Sequence, residues 1–326
     1  MKLQQLRYIW EVAQNDLNIS ATALALYTSQ PGVSKQIRLL EDELGLEVFY
    51  RSGKHLTKVT PAGEKVLELA GEILGKVEGI KRLSQDFKSP DLGTMGVATT
   101  HTQARYILPS VVEGFIGKYP KITLNMIQGT TDQICEAAAE GGVDFGIITE
   151  KLVLQHNLVM MPCFDYSSVI LVPKGHPLSQ LAEATLDDIA KYPLLAHVFG
   201  MHAIHKTEAG RAFLRQGIRP KIVFTAGNAD VVKAYVRAGL GVGFVANLAY
   251  DEIHDHDLIP VNAPSLLDVY LTSIVIRKGI FLRGYMYEFI ESFAPHLTRK
   301  VVDEVMALAT PEAQENYFSN IAIPTY

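Results

Sequence analysis

The chain has 326 residues, 48% of them hydrophobic and 20% charged, which is material for about two globular domains with real cores. Its formal charge of −5 excludes a broadly basic nucleic-acid coat, and no apolar run approaches the roughly 18 residues of a membrane helix. The start, Met1-Lys2-Leu3-Gln4-Gln5, has no apolar leader, so the two cysteines, Cys135 and Cys163, are expected to be buried thiols in a reducing cytosol rather than a disulfide or a redox pair.

In chain order, the stretch 3–12 is apolar at Leu3, Leu6, Ile9 and Trp10 and predicts a first helix. Asn18-Ile19-Ser20 starts a second, whose Ala21, Ala23, Leu24 and Ala25 allow close packing, and Tyr27-Thr28 forms a turn. Ser29 is a good N-cap for a third helix with Pro31 in its first turn and a glycine stop at Leu44-Gly45. Val33, Ile37 and Leu40 fall on one face of this helix, leaving Gln30, Ser34, Lys35 and Arg38 on the other. Amide, hydroxyl and cationic groups so placed are the chemistry that reaches base edges and phosphates in a major groove. The segment 49–58 predicts a β-hairpin turning at Ser52-Gly53, a wing whose Arg51, Lys54 and Lys58 are placed to grip phosphates. The competing reading is a small helical domain with a solvated charged face. Residues 1–60 carry seven cationic and six anionic side chains, so DNA affinity has to come from cations gathered on one face.

Thr60-Pro61 opens a helix running to about residue 87, with Val66, Ala70, Ile73, Val77 and Ile80 in a heptad seam. The seam serves either packing onto its own domain or dimerisation, which would hold two reading helices at a fixed spacing. Residues 88–93 read as a linker. Beyond it, strand-like runs at 95–99, 122–127, 145–149, 158–161, 169–172, 222–225, 242–245 and 270–276 alternate with helix-like segments at 107–118, 133–140, 186–190, 206–216, 229–238 and 281–293. Alternation of this kind predicts α/β sheets with crossover helices, in two lobes rather than one, and ligands bind beyond the carboxyl ends of such strands. A further helix is expected at 297–308, and the tail after Pro311 carries no signal.

The densest polar cluster in this second part is Thr99 to Arg105, between a strand and a helix. Gly129-Thr130-Thr131 and Thr149 are similar hydroxyl-bearing strand ends. Three such ends in one lobe predict a shared site, and donors with no dedicated cation suit a small, oxygen-rich anion. The alternative is an ordinary set of capping threonines. Enzyme signals are poor. His202-Ala-Ile-His205 and His254-Asp-His256 have no carboxylate set to complete a metal site, no Gly-x-Ser-x-Gly is present, and Gly239-Leu-Gly-Val-Gly lies in the reverse order for a dinucleotide loop. A catalytic role, a metal and a cofactor are therefore not expected. A solute-binding protein would use the same two lobes but would leave the first 60 residues without a purpose.

Ser29-Gln30-Pro31, Ser34, Leu40-Glu41, Leu44-Gly45, Phe49, Arg51, Leu56-Thr57 and Thr60-Pro61-Ala62-Gly63 resemble the LysR-type transcriptional regulators. Residues 1–9, 28–32, 51–57, 98–106 and 293–299 are similar to the members of that family that control sulfur assimilation and cysteine biosynthesis, and the resemblance covers nearly the whole chain. It implies a winged helix-turn-helix at 1–60, a linker and dimerisation helix at 61–89, and a two-lobed α/β effector domain of the periplasmic-binding-protein type at 90–326. Its first lobe would hold about 91–163 and 266–296, its second about 164–265, with a C-terminal helix and tail at 297–326. It further implies a homotetramer, a dimer of dimers, on double-stranded promoter DNA, with RNA polymerase as a partner. The implied effector is N-acetylserine, O-acetylserine or a sulfate-like anion. Thr100, Thr102, Gln103 and Thr149 match the family's anion-binding positions. The fifth, usually a threonine, reads His202 here. That departure either adds a pH-dependent charge to the site or reflects a loop that sits differently. A sibling regulator of sulfonate use is the competing role.

Overall fold

The computed structural model describes residues 1–53, 55–149, 157–197, 208–264 and 269–326. The chain divides into two compact units, Met1–Ser89 with Gly279–Arg283, and Pro90–Lys278 with Gly284–Tyr326.

The first unit holds α1 (Leu3–Gln14), α2 (Ile19–Ala25), α3 (Gln30–Leu44), the hairpin β1 (Phe49–Ser52) and β2 (His55–Val59), and α4 (Pro61–Lys88). Local chemistry sets the ends. The Asn18 side chain accepts from the Ala21 N–H at 3.0 Å, and the Ser29 hydroxyl from the Gly32 N–H at 3.3 Å. Gly45, at φ 66°, closes α3 in the left-handed conformation that favours glycine. Leu6, Ile9, Val12, Ala23, Val33, Ile37, Leu40, Phe49, Leu67 and Ala70 form one buried core. Helix α4 enters it closely. A Cβ on Gly63 would stand 2.1 Å from the Val48 carbonyl oxygen, and one on Gly71 would stand 2.5 Å from the Trp10 ring. The expected heptad seam therefore divides. Val66 and Ala70 pack onto the core of their own unit, whereas Ile73, Ile80, Leu83 and Phe87 are exposed.

The second unit carries a mixed sheet in the order β4-β3-β5-β11-β6-β9-β7-β8, with β10 added to β6. Strands β3 (Gly93–Thr99), β4 (Ile122–Gln128) and β5 (Phe145–Thr149) run parallel, and β11 (Val269–Arg277) returns antiparallel beside β5. Strand β6 (Leu158–Pro173) joins the lobes. Its residues up to Ser167 pair with β11, and those from Ser168 pair with β9 (Val242–Ala246) and β10 (Leu258–Val261). Strands β7 (Leu194–His197) and β8 (Ile222–Ala226) complete the second lobe. The helices are α5 (Leu108–Lys118), α6 (Thr131–Glu140), α7 (Leu186–Ala190), α8 (Glu208–Arg215), α9 (Ala229–Arg237), α10 (Gly284–Phe293), α11 (Arg299–Met306) and α12 (Pro311–Phe318).

Four differences from the sequence expectation stand out. The runs at 158–161 and 169–172 are one strand, β7 and β10 were not foreseen, α5 is preceded by a π-helical turn at Gln103–Ile107, and the tail contains α12. After α12 the chain pairs with β6. The Asp165 N–H donates to the Pro324 carbonyl and the Tyr326 N–H to the Asp165 carbonyl, both at 2.8 Å, and the Tyr326 ring packs on Phe164 at 4.6 Å.

Candidate functional site

The first candidate site is the outer face of α3 with the wing. Gln30, Pro31, Lys35 and Arg38 are exposed, Ser34 is half-buried, and Lys58 is exposed on β2. Ser29 is exposed, with its hydroxyl engaged in capping. Lys54 lies outside the described residues. Arg51 departs from the expectation of a free phosphate-gripping cation. Its Nη2 lies 2.5 Å from Oε2 of Glu41, a buried carboxylate on the inner face of α3. Oε1 of the same carboxylate accepts from the Val48 N–H at 2.9 Å and the Phe49 N–H at 3.2 Å. Glu41 thus ties the wing to the reading helix, a role the sequence analysis did not assign. The available signal was its position, one residue after Leu40 on the helical stripe begun by Val33 and Ile37.

The second candidate site lies at the carboxyl ends of β3 and β5. Thr100, Thr102 and Gln103 are buried in the turn after β3. Thr149 ends β5 and stands opposite Thr272 of β11 in the antiparallel register, so their side chains share one face of the sheet. Gln103 Nε2 donates to Thr272 Oγ1 at 3.0 Å, tying the turn to that face. The hydroxyls of Thr99, Thr100, Thr149 and Ser273 and the amide oxygen of Gln103 are buried and have no hydrogen-bond partner. Buried polar atoms are normally paired, so the unpaired oxygens of Thr99, Thr100, Gln103 and Thr149, at the ends of β3 and β5 and in the turn after β3, mark a place where something else supplies the partners, whereas Ser273 alternates to the other face of β11.

The other expected residues are used differently. The Gly129 N–H donates to the Thr99 carbonyl at 3.1 Å. Exposed Thr130 caps α6, accepting from the Gln133 N–H at 3.4 Å while Gln133 Oε1 accepts from its N–H at 3.0 Å. The Thr131 hydroxyl donates to the Thr149 carbonyl at 3.3 Å. These three shape the site, and the hydroxyls of Thr130 and Thr131 are occupied by the protein itself. His202 lies outside the described residues. Thr272 and Ser273 were missed, although a polar pair inside the apolar run 270–276 was a readable signal.

Two family models match this chain. "Bacterial regulatory helix-turn-helix protein, lysR family" spans residues 3–64, and "LysR substrate binding domain" spans residues 89–298. The chain is a LysR-type transcriptional regulator. The regulator is 45% identical to the HTH-type transcriptional regulator CysB of Haemophilus influenzae, with 100% of each chain covered. It is 42% identical to the HTH-type transcriptional regulator SsuR of Burkholderia cenocepacia, over 91% of this chain and 96% of that one. Among solved structures it resembles the cofactor-binding domain of the Cbl transcriptional regulator, with a TM-score of 0.60 and 35% identity, over 67% of this chain and 95% of that one.

Cys135 and Cys163 are free and buried, and burial pushes both thiols up, away from the reactive thiolate. His254 Nδ1 lies 2.9 Å from Asp251 Oδ2, an exposed pair. Among the described residues no cluster of histidine, cysteine and carboxylate is arranged to hold a metal, and no helix is long and apolar enough to cross a membrane.

Proposed function

We propose that this regulator controls sulfur-assimilation and cysteine-biosynthesis genes, and that a small oxygen-rich anion held by Thr100, Thr102, Gln103 and Thr149 changes how it binds their promoters. The observation that carries this reading is the group of buried, unpaired oxygens of Thr100, Gln103 and Thr149 at the ends of β3 and β5, beside which Thr102 is buried. Hydroxyls rotate to donate, and the Thr272 hydroxyl can either donate or accept, so the Gln103 amide can turn its N–H₂ toward a ligand. Neutral donors in a dry site fit N-acetylserine, O-acetylserine or sulfate. The family resemblance makes His202 the fifth binding position, usually a threonine, and this departure allows for a different member of the anion class. The relation to SsuR and Cbl supports a second reading, a sibling regulator of sulfonate use with the same site and another effector.

In this account residues 1–60 bind DNA, 61–89 dimerise through the exposed apolar half of α4, and 90–326 bind the effector between lobes at about 91–163 with 266–296 and 164–265. The assembly is a cytoplasmic homotetramer on double-stranded promoter DNA, with RNA polymerase as a partner. The effector shifts an equilibrium between lobe arrangements for which it has unequal affinity.

Two substitutions test the two sites. Thr102→Ala weakens effector binding about tenfold, as expected for one hydrogen bond to a charged ligand, and isothermal titration with sulfate and with N-acetylserine reads the change. Unchanged affinity for a ligand that the wild type binds removes Thr102 from the site. Arg38→Ala lowers affinity for a cysteine-biosynthesis promoter by about 1–3 kcal/mol if it reads a base, or lowers it evenly across sequences with a shallower salt slope if it holds a phosphate. An unaltered footprint and salt slope remove Arg38 from the interface.

A further inference from the structure

We propose that Asp230, at the start of α9 in the second lobe, is the positioning residue that holds the effector-binding turn of the first lobe in its ligand-receiving arrangement. The inference rests on reading Thr100, Thr102, Gln103 and Thr149 as the effector site. It names what regulates that site.

Residues 100–106 divide their side chains between two destinations. Thr100, Thr102 and Gln103 are buried at the strand ends. His101, Arg105 and Tyr106 instead converge on one carboxylate. The Tyr106 hydroxyl donates to Asp230 Oδ1 at 2.7 Å, Arg105 Nε lies 3.6 Å from Oδ2, and His101 Nε2 lies 3.8 Å from Oδ2. The π-helical turn at Gln103–Ile107 places Gln103 and Tyr106 within one widened turn. The two sets of side chains thus share one short backbone segment. His101 is also held from the first lobe, its Nδ1 lying 3.1 Å from Gln128 Oε1.

Asp230 is itself fixed. It lies in the first turn of α9, where the helix dipole favours a carboxylate, and Asn228 caps that helix by accepting from the Val231 N–H at 2.9 Å. Lys233 Nζ lies 3.5 Å from Asp230 Oδ1, and this buried lysine donates to Asp255 at 2.9 Å and to the Ala249 carbonyl at 2.7 Å. It also sits 5.4 Å from the centre of the Tyr106 ring. Arg237 closes the cluster through Asp255 at 2.6 Å and Asp257 at 2.7 Å. Burial alone would raise the Asp230 carboxyl. The Tyr106 hydrogen bond together with Lys233 and Arg105 outweighs it and holds the group below the usual carboxylate range, so it is charged. Burial, then the bond to Asp230, pushes the Tyr106 phenol up, so it stays a donor.

A tie that fixes the turn from the opposite lobe contributes to effector affinity through preorganisation, and effector binding strengthens the tie by the same factor. Isothermal titration of the full chain with sulfate and with N-acetylserine tests this on the wild type, Tyr106→Phe, Asp230→Asn, the double variant and Thr102→Ala. Tyr106→Phe raises the dissociation constant about five- to tenfold, Asp230→Asn, which also loses the charge facing Arg105, His101 and Lys233, raises it at least as much, and the double variant loses less than the product of the two singles, because the Tyr106–Asp230 bond is common to both. Tyr106→Phe keeps the ring, so it reports even if Asp230→Asn fails to fold. Unchanged affinity in Tyr106→Phe, or losses that multiply in the double variant, overturns the proposal while Thr102→Ala still weakens binding. If the wild type binds neither probe, or Thr102→Ala binds as tightly as the wild type, the effector-site reading falls and this inference with it.

Discussion

Replacing Thr100 and Thr149 together by valine lowers affinity for the effector by about 100-fold or more, while the thermal stability of the protein is kept or slightly raised. Each hydroxyl is buried with no partner in the protein, so its removal breaks no internal hydrogen bond. Valine keeps the shape and the β-branching that suit the ends of β3 and β5. A hydrogen bond to a charged ligand contributes about 1.5–3 kcal/mol, so losing two gives the stated loss, and removing unpaired buried hydroxyls adds up to about 1 kcal/mol of stability. A capping or packing role predicts the opposite sign, a lower melting temperature with ligand affinity intact. Titration calorimetry and a thermal melt on the same sample separate the two. Retained tight binding, or a fall in stability of more than about 1 kcal/mol, contradicts the assignment of these residues as ligand donors.

Glu41→Ala destabilises the first unit by about 3 kcal/mol and weakens promoter binding with it. The substitution strands the Val48 and Phe49 N–H groups and takes away the carboxylate partner of the half-buried Arg51. The wing then loses its anchor on α3, and the two elements proposed to contact DNA no longer share a fixed geometry. Glu41→Gln retains an acceptor for the backbone pair but no charge for Arg51, so it recovers part of the stability. The chain has a single tryptophan, Trp10, packed against Gly71 of α4, so urea unfolding followed by tryptophan fluorescence reports on this unit. Equal midpoints for wild type and Glu41→Ala would leave Glu41 without the anchoring role.

The reading head was legible because its signals are local. The Ser29 cap, Pro31, the stripe Val33-Ile37-Leu40 and the Gly45 stop act within one or two turns of chain, and α3 spans Gln30–Leu44 as they require. Helix α12 carries similar signals, a capping Thr310 before Pro311, but shows no apolar stripe, since only Gln314 and Phe318 of Pro311–Phe318 are buried. Strand β6 was read as two pieces because Pro162, Asp165 and Ser167-Ser168 interrupt its apolar pattern where it passes from one lobe to the other. Pro260 masked β10, which pairs with β6, an edge position that tolerates a proline. Thr100, Thr102, Gln103 and Thr149 were found as hydroxyl and amide groups at strand ends, whereas Thr272 meets Gln103 across 169 positions of sequence. The link from Tyr106 to Asp230 spans 124 positions and has no pattern in either neighbourhood. Periodicity and capping rules describe a residue's own element, and partners of this kind are set by how the lobes pack.

The central claim is that a small anion in the second unit changes promoter binding by the first. Binding of the purified full-length regulator to a cysteine-biosynthesis promoter fragment, at fixed salt, with and without N-acetylserine, tests it most directly. The account predicts specific binding whose affinity or footprint shifts with the ligand. Specific binding that is identical without ligand and with N-acetylserine, O-acetylserine or sulfate would contradict it.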